Sequence, residues 1–217
     1  MLAKFIDSTN LKQNASIQDI VLLCSEAVRL KVAAVCVHPS FVTLASKLLA
    51  ESNVKVCAVI GFPLGLNTTQ AKIYEARECL RLGANELDVV MNVASFKDEL
   101  ISTVKNEIIT LSKLKDSSNF VLKVIVETAL LTPLELREIT EILSEIEVDY
   151  IKTSTGFAER GVTIQDVEII NNYKSPQLKI KASGGIKTKD FALQLIDLGV
   201  SRLGTSCASK ILETKEI

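Results

Sequence analysis

Short runs of consecutive apolar residues alternate along this 217-residue chain with longer stretches in which apolar positions recur every three or four residues. The runs predict buried strands over Lys4–Asp7, Ala33–Val37, Lys55–Ile60, Glu86–Met91, Leu122–Val126, Tyr150–Thr153, Lys179–Ala182 and Arg202–Gly204. The stretches between them predict amphipathic helices, as in Leu100, Val104, Ile108 and Leu111, and again in Leu136, Ile139, Leu143 and Ile146. Thr132-Pro133-Leu134-Glu135 combines an N-cap, a proline at the first helical position and a capping glutamate. Gly83 and Gly199 follow leucines where helices should stop. No linker or low-complexity stretch divides the pattern, so residues 1–217 read as one domain. Eight strands, each followed by a helix, predict a (β/α)8 barrel near the small end of that fold. The competing arrangement is a doubly wound open sheet, but no G-x-G-x-x-G or P-loop follows any strand.

Charged residues interrupt these strands with period two. Asp88 shares a face with Glu86 and Val90, while Lys123, Lys152 and Lys181 each oppose apolar neighbours. A charge wedged against the helix layer would be very costly, so the charged faces should point into the barrel. Asp7, Asp88, Lys123, Lys152 and Lys181 are then expected to converge in the lumen, toward the strand ends where barrel active sites are built.

That convergence has a chemical meaning. A lysine is almost never fully buried without a partner or a task. Two of them on neighbouring strands, Lys152 and Lys181, should repel, which lowers the pKa of one. A lysine amine so activated attacks carbonyls and forms a Schiff base. Asp88 is the candidate proton carrier, with Lys123 able to position it. A structural ion-pair network is the alternative, although two carboxylates against three lysines would not balance. Beyond the strands, Thr155-Gly156, Ser183-Gly184-Gly185 and Gly204-Thr205-Ser206 offer backbone N–H groups and hydroxyls suited to a phosphate. A non-covalent isomerase and a barrel that only binds a sugar phosphate are the rival functions.

Composition narrows the setting. A formal net charge of -1 and pI ≈ 6.0, without runs of like charge, argue against nucleic-acid or membrane partners. Five scattered cysteines without a C-x-x-C motif suit reduced thiols in the cytoplasm. The N-terminus lacks a signal-peptide pattern, and no apolar run approaches a membrane span. The lone His38, ahead of Pro39, has no partners at metal-ligand spacing, so no metal is expected and His38 reads as a loop or helix-start residue. Cys36 reads as a small packing residue.

Several segments together resemble one family. They are Val35-Cys36-Val37-His38-Pro39, Ile60-Gly61-Phe62-Pro63-Leu64-Gly65, Glu86-Leu87-Asp88-Val89-Val90-Met91-Asn92, Lys123-Val124-Ile125-Val126-Glu127-Thr128, Tyr150-Ile151-Lys152-Thr153-Ser154-Thr155-Gly156-Phe157 and Lys181-Ala182-Ser183-Gly184-Gly185. In order and spacing they closely resemble the deoxyribose-phosphate aldolases, class I enzymes that make or cleave 2-deoxyribose 5-phosphate. The resemblance implies a (β/α)8 barrel that takes a sugar phosphate and an aldehyde and needs no metal or organic cofactor. It implies Lys152 as the Schiff-base lysine, Asp88 as proton donor or acceptor, and Lys181 as the lysine that perturbs Lys152. Phosphate contacts are implied at Gly156, Gly184, Gly185, Gly204 and Ser206. A homodimer is compatible with this reading. The chain departs from the pattern at Ser8, where many relatives carry histidine, at Cys207, a serine in some relatives, and at its end, Glu213-Thr214-Lys215-Glu216-Ile217, which lacks a terminal tyrosine. The tail is therefore expected to contribute little to proton transfer.

Overall fold

The structure is a computed structural model, and it describes residues 2–146 and 148–213. Residues 214–217, on which most of the expectation about the tail rests, lie outside that range. The strands are β1 (Ile6–Thr9), β2 (Ala34–Val37), β3 (Lys55–Ile60), β4 (Glu86–Val90), β5 (Val121–Ile125), β6 (Tyr150–Lys152), β7 (Lys179–Ser183) and β8 (Arg202–Thr205). Between and after them run α1 (Ile17–Leu30), α2 (Val42–Leu49), α3 (Thr69–Arg81), α4 (Val93–Lys97), α5 (Ile101–Ser112), α6 (Pro133–Ile146), α7 (Ile164–Tyr173), α8 (Lys189–Asp197) and α9 (Ala208–Glu213). All neighbouring strands pair in parallel, and β8 returns to β1, closing the barrel in chain order. The open-sheet alternative is thereby excluded.

Most predicted boundaries agree with these elements. The capping box ahead of α6 forms: Thr132 N–H donates to Glu135 Oε2 at 2.7 Å, and Glu135 N–H to Thr132 Oγ1 at 3.3 Å. The first strand is displaced from the expected Lys4–Asp7. Leu2–Phe5 form a 3₁₀ turn, and the strand begins at Ile6, because the ladder to β2 and β8 is made by Ile6 through Thr9. The period-two pattern of the fifth strand also ends early. Predicted over Leu122–Val126, that strand runs Val121–Ile125, and Glu127, with a left-handed backbone (φ 53), belongs to the following loop.

Two apolar layers result. The larger fills the space between strands and helices, with Ile6, Val35, Val37, Val56, Leu122 and Ile180 facing outward onto residues such as Ile20, Ala45, Ile108 and Ile139. A small one, Leu11, Ala34, Cys36, Cys57 and Val59 with Phe62 against it, lies inside the barrel on the β2–β3 side. The rest of the lumen holds the charged side chains, with Val90, Ile125 and Tyr150 buried on the same strand faces. One further charge pair sits in the helix layer: fully buried Lys72 of α3 donates to Glu107 Oε1 of α5 at 2.7 Å and to the Val90 carbonyl at 2.8 Å.

Candidate active site

Strand register decides which charges meet. Asp88 pairs with Lys123 across β4–β5, and Lys152 pairs directly with Lys181 across β6–β7, itself opposite Arg202 of β8. The five residues expected to converge do so, and all are buried. Two more join them. Glu86 is on the expected face of β4, and Arg202 opens β8; both bond into the same cluster. The sequence signal for Arg202 was its parity with Gly204, which its place at the very start of a short strand obscured.

Six of these side chains form a closed ring of alternating charge. Arg202 donates to Asp7 at 2.7 Å and to Glu86 at 2.6 and 2.8 Å; Lys123 joins Glu86 at 2.6 Å to Asp88 at 3.0 Å. Lys181 joins Asp88 at 2.8 Å to Asp7, closing the circuit. Three cations thus face three carboxylates, which is the balanced ion-pair network held as an alternative. Lys152 stands outside it as a seventh charge, its Nζ 2.7 Å from the same Asp88 Oδ2 that accepts from Lys181.

The ring fixes protonation states. Burial alone would push Asp88 up, but Lys123, Lys152 and Lys181 hold it well below the usual carboxylate range. Burial would likewise favour the neutral form of Lys181, yet Asp7 and Asp88 hold it well above an ordinary lysine. Lys123 is raised too, burial being outweighed by the carboxylates of Asp88 and Glu86. Asp7 falls to about 2, as Lys181 and Arg202 outweigh the cost of burial. Lys181 therefore faces Lys152 as a fixed positive charge.

A cavity of about 650 Å³ opens over the C-terminal ends of β6, β7, β8 and β1. Among the charged cluster it is lined by Lys152, 3% exposed, while Lys181 and Asp88 lie beneath its floor at 0%. The predicted phosphate residues Gly156, Gly184, Gly185, Gly204 and Ser206 all line it. Gly184 and Gly185 have positive φ (81 and 77), which suits glycine, and neither N–H is bonded to another described group. A Cβ on Gly204 would meet Lys181 Cε at 3.4 Å, so its smallness also makes room for the lumen lysine. The hydroxyls of Thr155 and Thr205 are engaged within the protein, with Glu127 and with the Ile186 carbonyl, whereas Ser206 is exposed.

The loop after β6 braces this cradle in a way the sequence did not disclose. Gly161 packs so closely on Gly184 that a Cβ there would stand 2.1 Å from the Gly184 carbonyl oxygen. Val162 N–H donates to the Ser183 and Gly184 carbonyls at 3.2 and 3.3 Å. Arg160 ties the loop down through Asp166 of α7 and the Thr128 carbonyl. Lys12 and Lys187 also line the mouth. A lysine two residues after the glycine pair, as in Gly185-Ile186-Lys187, was the available hint.

His38 takes the expected loop role, its Nε2 3.1 Å from the Leu11 carbonyl and its ring edge-on to Phe62. Cys36 is not merely packing: its Sγ lies 3.8 Å from Asp88 Oδ2, and Cys57 Sγ lies 3.1 Å from Oδ1. These three side chains bring ligand-type atoms within 4.8 Å of one another. The set does not fit a metal, because Asp88 already accepts from three ammonium groups that a divalent cation would have to displace.

Comparison with known proteins agrees with this geometry. Residues 1–206 match the family profile described as DeoC/LacD family aldolase. The chain is 44% identical over 214 residues to a deoxyribose-phosphate aldolase of Thermococcus kodakarensis, covering 98% of this chain and 96% of the relative. It is 43% identical over 213 residues to one of Metamycoplasma arthritidis, with 98% and 97% covered. Its fold superposes on a tetrameric deoxyribose phosphate aldolase of Aeropyrum pernix with a TM-score of 0.90 and 34% identity, covering 98% of this chain and 89% of that one.

Proposed function

The chain belongs to the DeoC/LacD family of aldolases, and from that premise we propose roles for the residues of its lumen. The enzyme is a deoxyribose-phosphate aldolase, reversibly cleaving 2-deoxy-D-ribose 5-phosphate to acetaldehyde and D-glyceraldehyde 3-phosphate through a lysine Schiff base. Lys152 is the nucleophile. The observation that carries this assignment is that Lys152 is the surplus cation of the cluster and the member that reaches the cavity. The other three cations are committed to the ring.

The Lys152 amine attacks the C1 aldehyde of the open-chain sugar, and loss of water leaves an iminium. The iminium draws the electrons of the C2–C3 bond as the C3 hydroxyl gives up its proton and becomes the aldehyde of the triose phosphate. The remaining two-carbon enamine is protonated at C2 and hydrolysed to acetaldehyde. Asp88, 2.7 Å from Lys152, carries these protons, acting through a water where the substrate atom is distant. Held so far below the usual range, Asp88 is a weak base while Lys152 is charged. Deprotonation of Lys152 for its attack on the carbonyl removes one of these cations and makes Asp88 more basic at that step, and the cationic iminium then restores the charge. Lys181 supplies fixed charge, while Lys123 and Asp7 hold the ring in place.

Gly184 and Gly185 present free N–H groups to the 5-phosphate, with Gly156, Gly204 and Ser206 around it and Lys187 adding charge at the mouth. The reading takes the enzyme to be a single domain of the cytoplasm and is compatible with a homodimer. Five free cysteines support the reducing compartment, and no helix among the described residues is long and apolar enough to cross a membrane. Light scattering decides between a dimer and the tetramer described for the Aeropyrum pernix relative.

The deciding experiment is borohydride trapping with acetaldehyde followed by peptide mass analysis. A reduced two-carbon adduct should appear on Lys152 and vanish in Lys152→Arg; an adduct on Lys181 would reverse the assignment.

A further inference from the structure

Cys57 contacts both Asp88 and Lys123, and the proposed reaction gives it no task. It is fully buried in β3, directly opposite Cys36 in the ladder with β2. It belongs to the apolar cluster on the β2–β3 side of the lumen and also touches the charged one.

The hydrogen bonds around it are specific. Lys123 Nζ has three protons, and the structure accounts for all three: Glu86 Oε2 at 2.6 Å, Asp88 Oδ1 at 3.0 Å and Cys57 Sγ at 3.5 Å. The thiol then donates its own proton to Asp88 Oδ1 at 3.1 Å. Cys57 thus closes a triangle with the cation and the carboxylate. Cys36 is a second possible acceptor for that proton, but a carboxylate oxygen accepts more strongly than a thiol sulfur. Burial and the nearby carboxylate keep Cys57 firmly in the thiol form, so it stays a donor rather than a nucleophile.

We infer that Cys57 is a positioning residue that fixes the orientation of Asp88 through a neutral hydrogen bond to Oδ1, leaving Oδ2 aimed at Lys152. The Oδ2 side of Asp88 changes during turnover, because the Lys152 ammonium gives up protons on its way to the iminium. The Oδ1 side must then hold the carboxylate still. A further cation there would weaken Asp88 as a base, whereas a thiol steadies it without added charge. The groups facing Asp88 are Lys123, Lys152, Lys181, Cys36 and Cys57, with Asp7 beyond Lys181. Among them Cys57 is the neutral donor within 3.1 Å.

The inference rests on Asp88 as the proton carrier, so Asp88→Asn is measured alongside. The readouts are kcat and KM for the sugar phosphate, and the pH profile of deuterium exchange into acetaldehyde, which reports enamine protonation. Cys57→Val keeps the size and apolar character but lacks the donor, and Cys57→Ala covers the case in which Val does not fold. Both should lower kcat about tenfold with KM little changed. Both should also move the acid limb of exchange to higher pH, since the carboxylate loses a bond that favours its charged form. Cys57→Ser restores a donor and should recover most of kcat. Wild-type kcat and an unmoved acid limb in Val and Ala would overturn the inference, as would a Ser variant as impaired as Val. If Asp88→Asn itself exchanges normally, the failure lies in the assignment of Asp88 instead.

Discussion

Replacing Gly161 by alanine should damage phosphate binding while leaving the lysine chemistry intact. Gly161 does not have a left-handed backbone, so the added methyl introduces no torsional strain and acts through contact alone. That methyl would lie 2.1 Å from the Gly184 carbonyl oxygen and 2.7 Å from Gly184 Cα. Ordinary contacts between such atoms begin near ~3.5 Å, so the two loops must part by roughly 1 Å. Both sides are backbone, and no flexible side chain can give way. Overpacking of this kind costs about 1–3 kcal/mol, and a chain of this size loses about 2–4 °C in Tm per kcal/mol. The larger effect falls on the ligand. A charge-assisted hydrogen bond is worth about 1.5–3 kcal/mol, so misplacing one Gly184 or Gly185 N–H raises KM about 10- to 100-fold. Steady-state cleavage of deoxyribose 5-phosphate and of unphosphorylated deoxyribose separates the cases. The phosphorylated substrate should lose its KM advantage while turnover of the plain sugar holds. Equal losses on both substrates, or a KM within about threefold of wild type for the phosphate, would refute the cradle.

Lys181→Leu removes the fixed charge opposite Lys152. Two ammonium groups about 4 Å apart at an effective dielectric of about 20 repel by about 4 kcal/mol, so the acid limb of borohydride trapping should move to higher pH in the variant. An unmoved limb would mean that Lys181 serves only the ring. Asp7 has its carboxyl held at about 2 against 3.8; it therefore adds about 2 kcal/mol above its unfolded value, lost as pH falls through the folded one. Urea unfolding should show the stability gap between wild type and Asp7→Asn narrowing from about pH 5 to about pH 2, and a constant gap would contradict the assignment. Lys72→Met strands buried Glu107 and should cost about 3–5 kcal/mol, while Lys72→Met with Glu107→Leu should recover most of it. Denaturant titration of both variants checks this; equal destabilisation would show that the pair itself matters little.

Much of this protein was legible in its residues. Repeating strand and helix periods specified a barrel, because each element must bury one face and eight parallel units close on themselves. The parity of Asp88, Lys123, Lys152 and Lys181 within their strands placed them in the lumen, since a charge on the other face would meet the apolar helix layer. The start of β1 was missed, because strand pairing is not written in local hydrophobicity. What only the tertiary structure decided was which charges are spent on one another. Arg202 and Glu86 complete a neutral ring with Asp7, Asp88, Lys123 and Lys181, and Lys152 is left over at the cavity. The contacts of Gly161 with Gly184, and of Cys57 with Asp88, span 23 and 31 positions of sequence. Such contacts follow from strand register and loop packing in three dimensions, where one residue's surroundings come from elements that no local pattern of its own segment encodes.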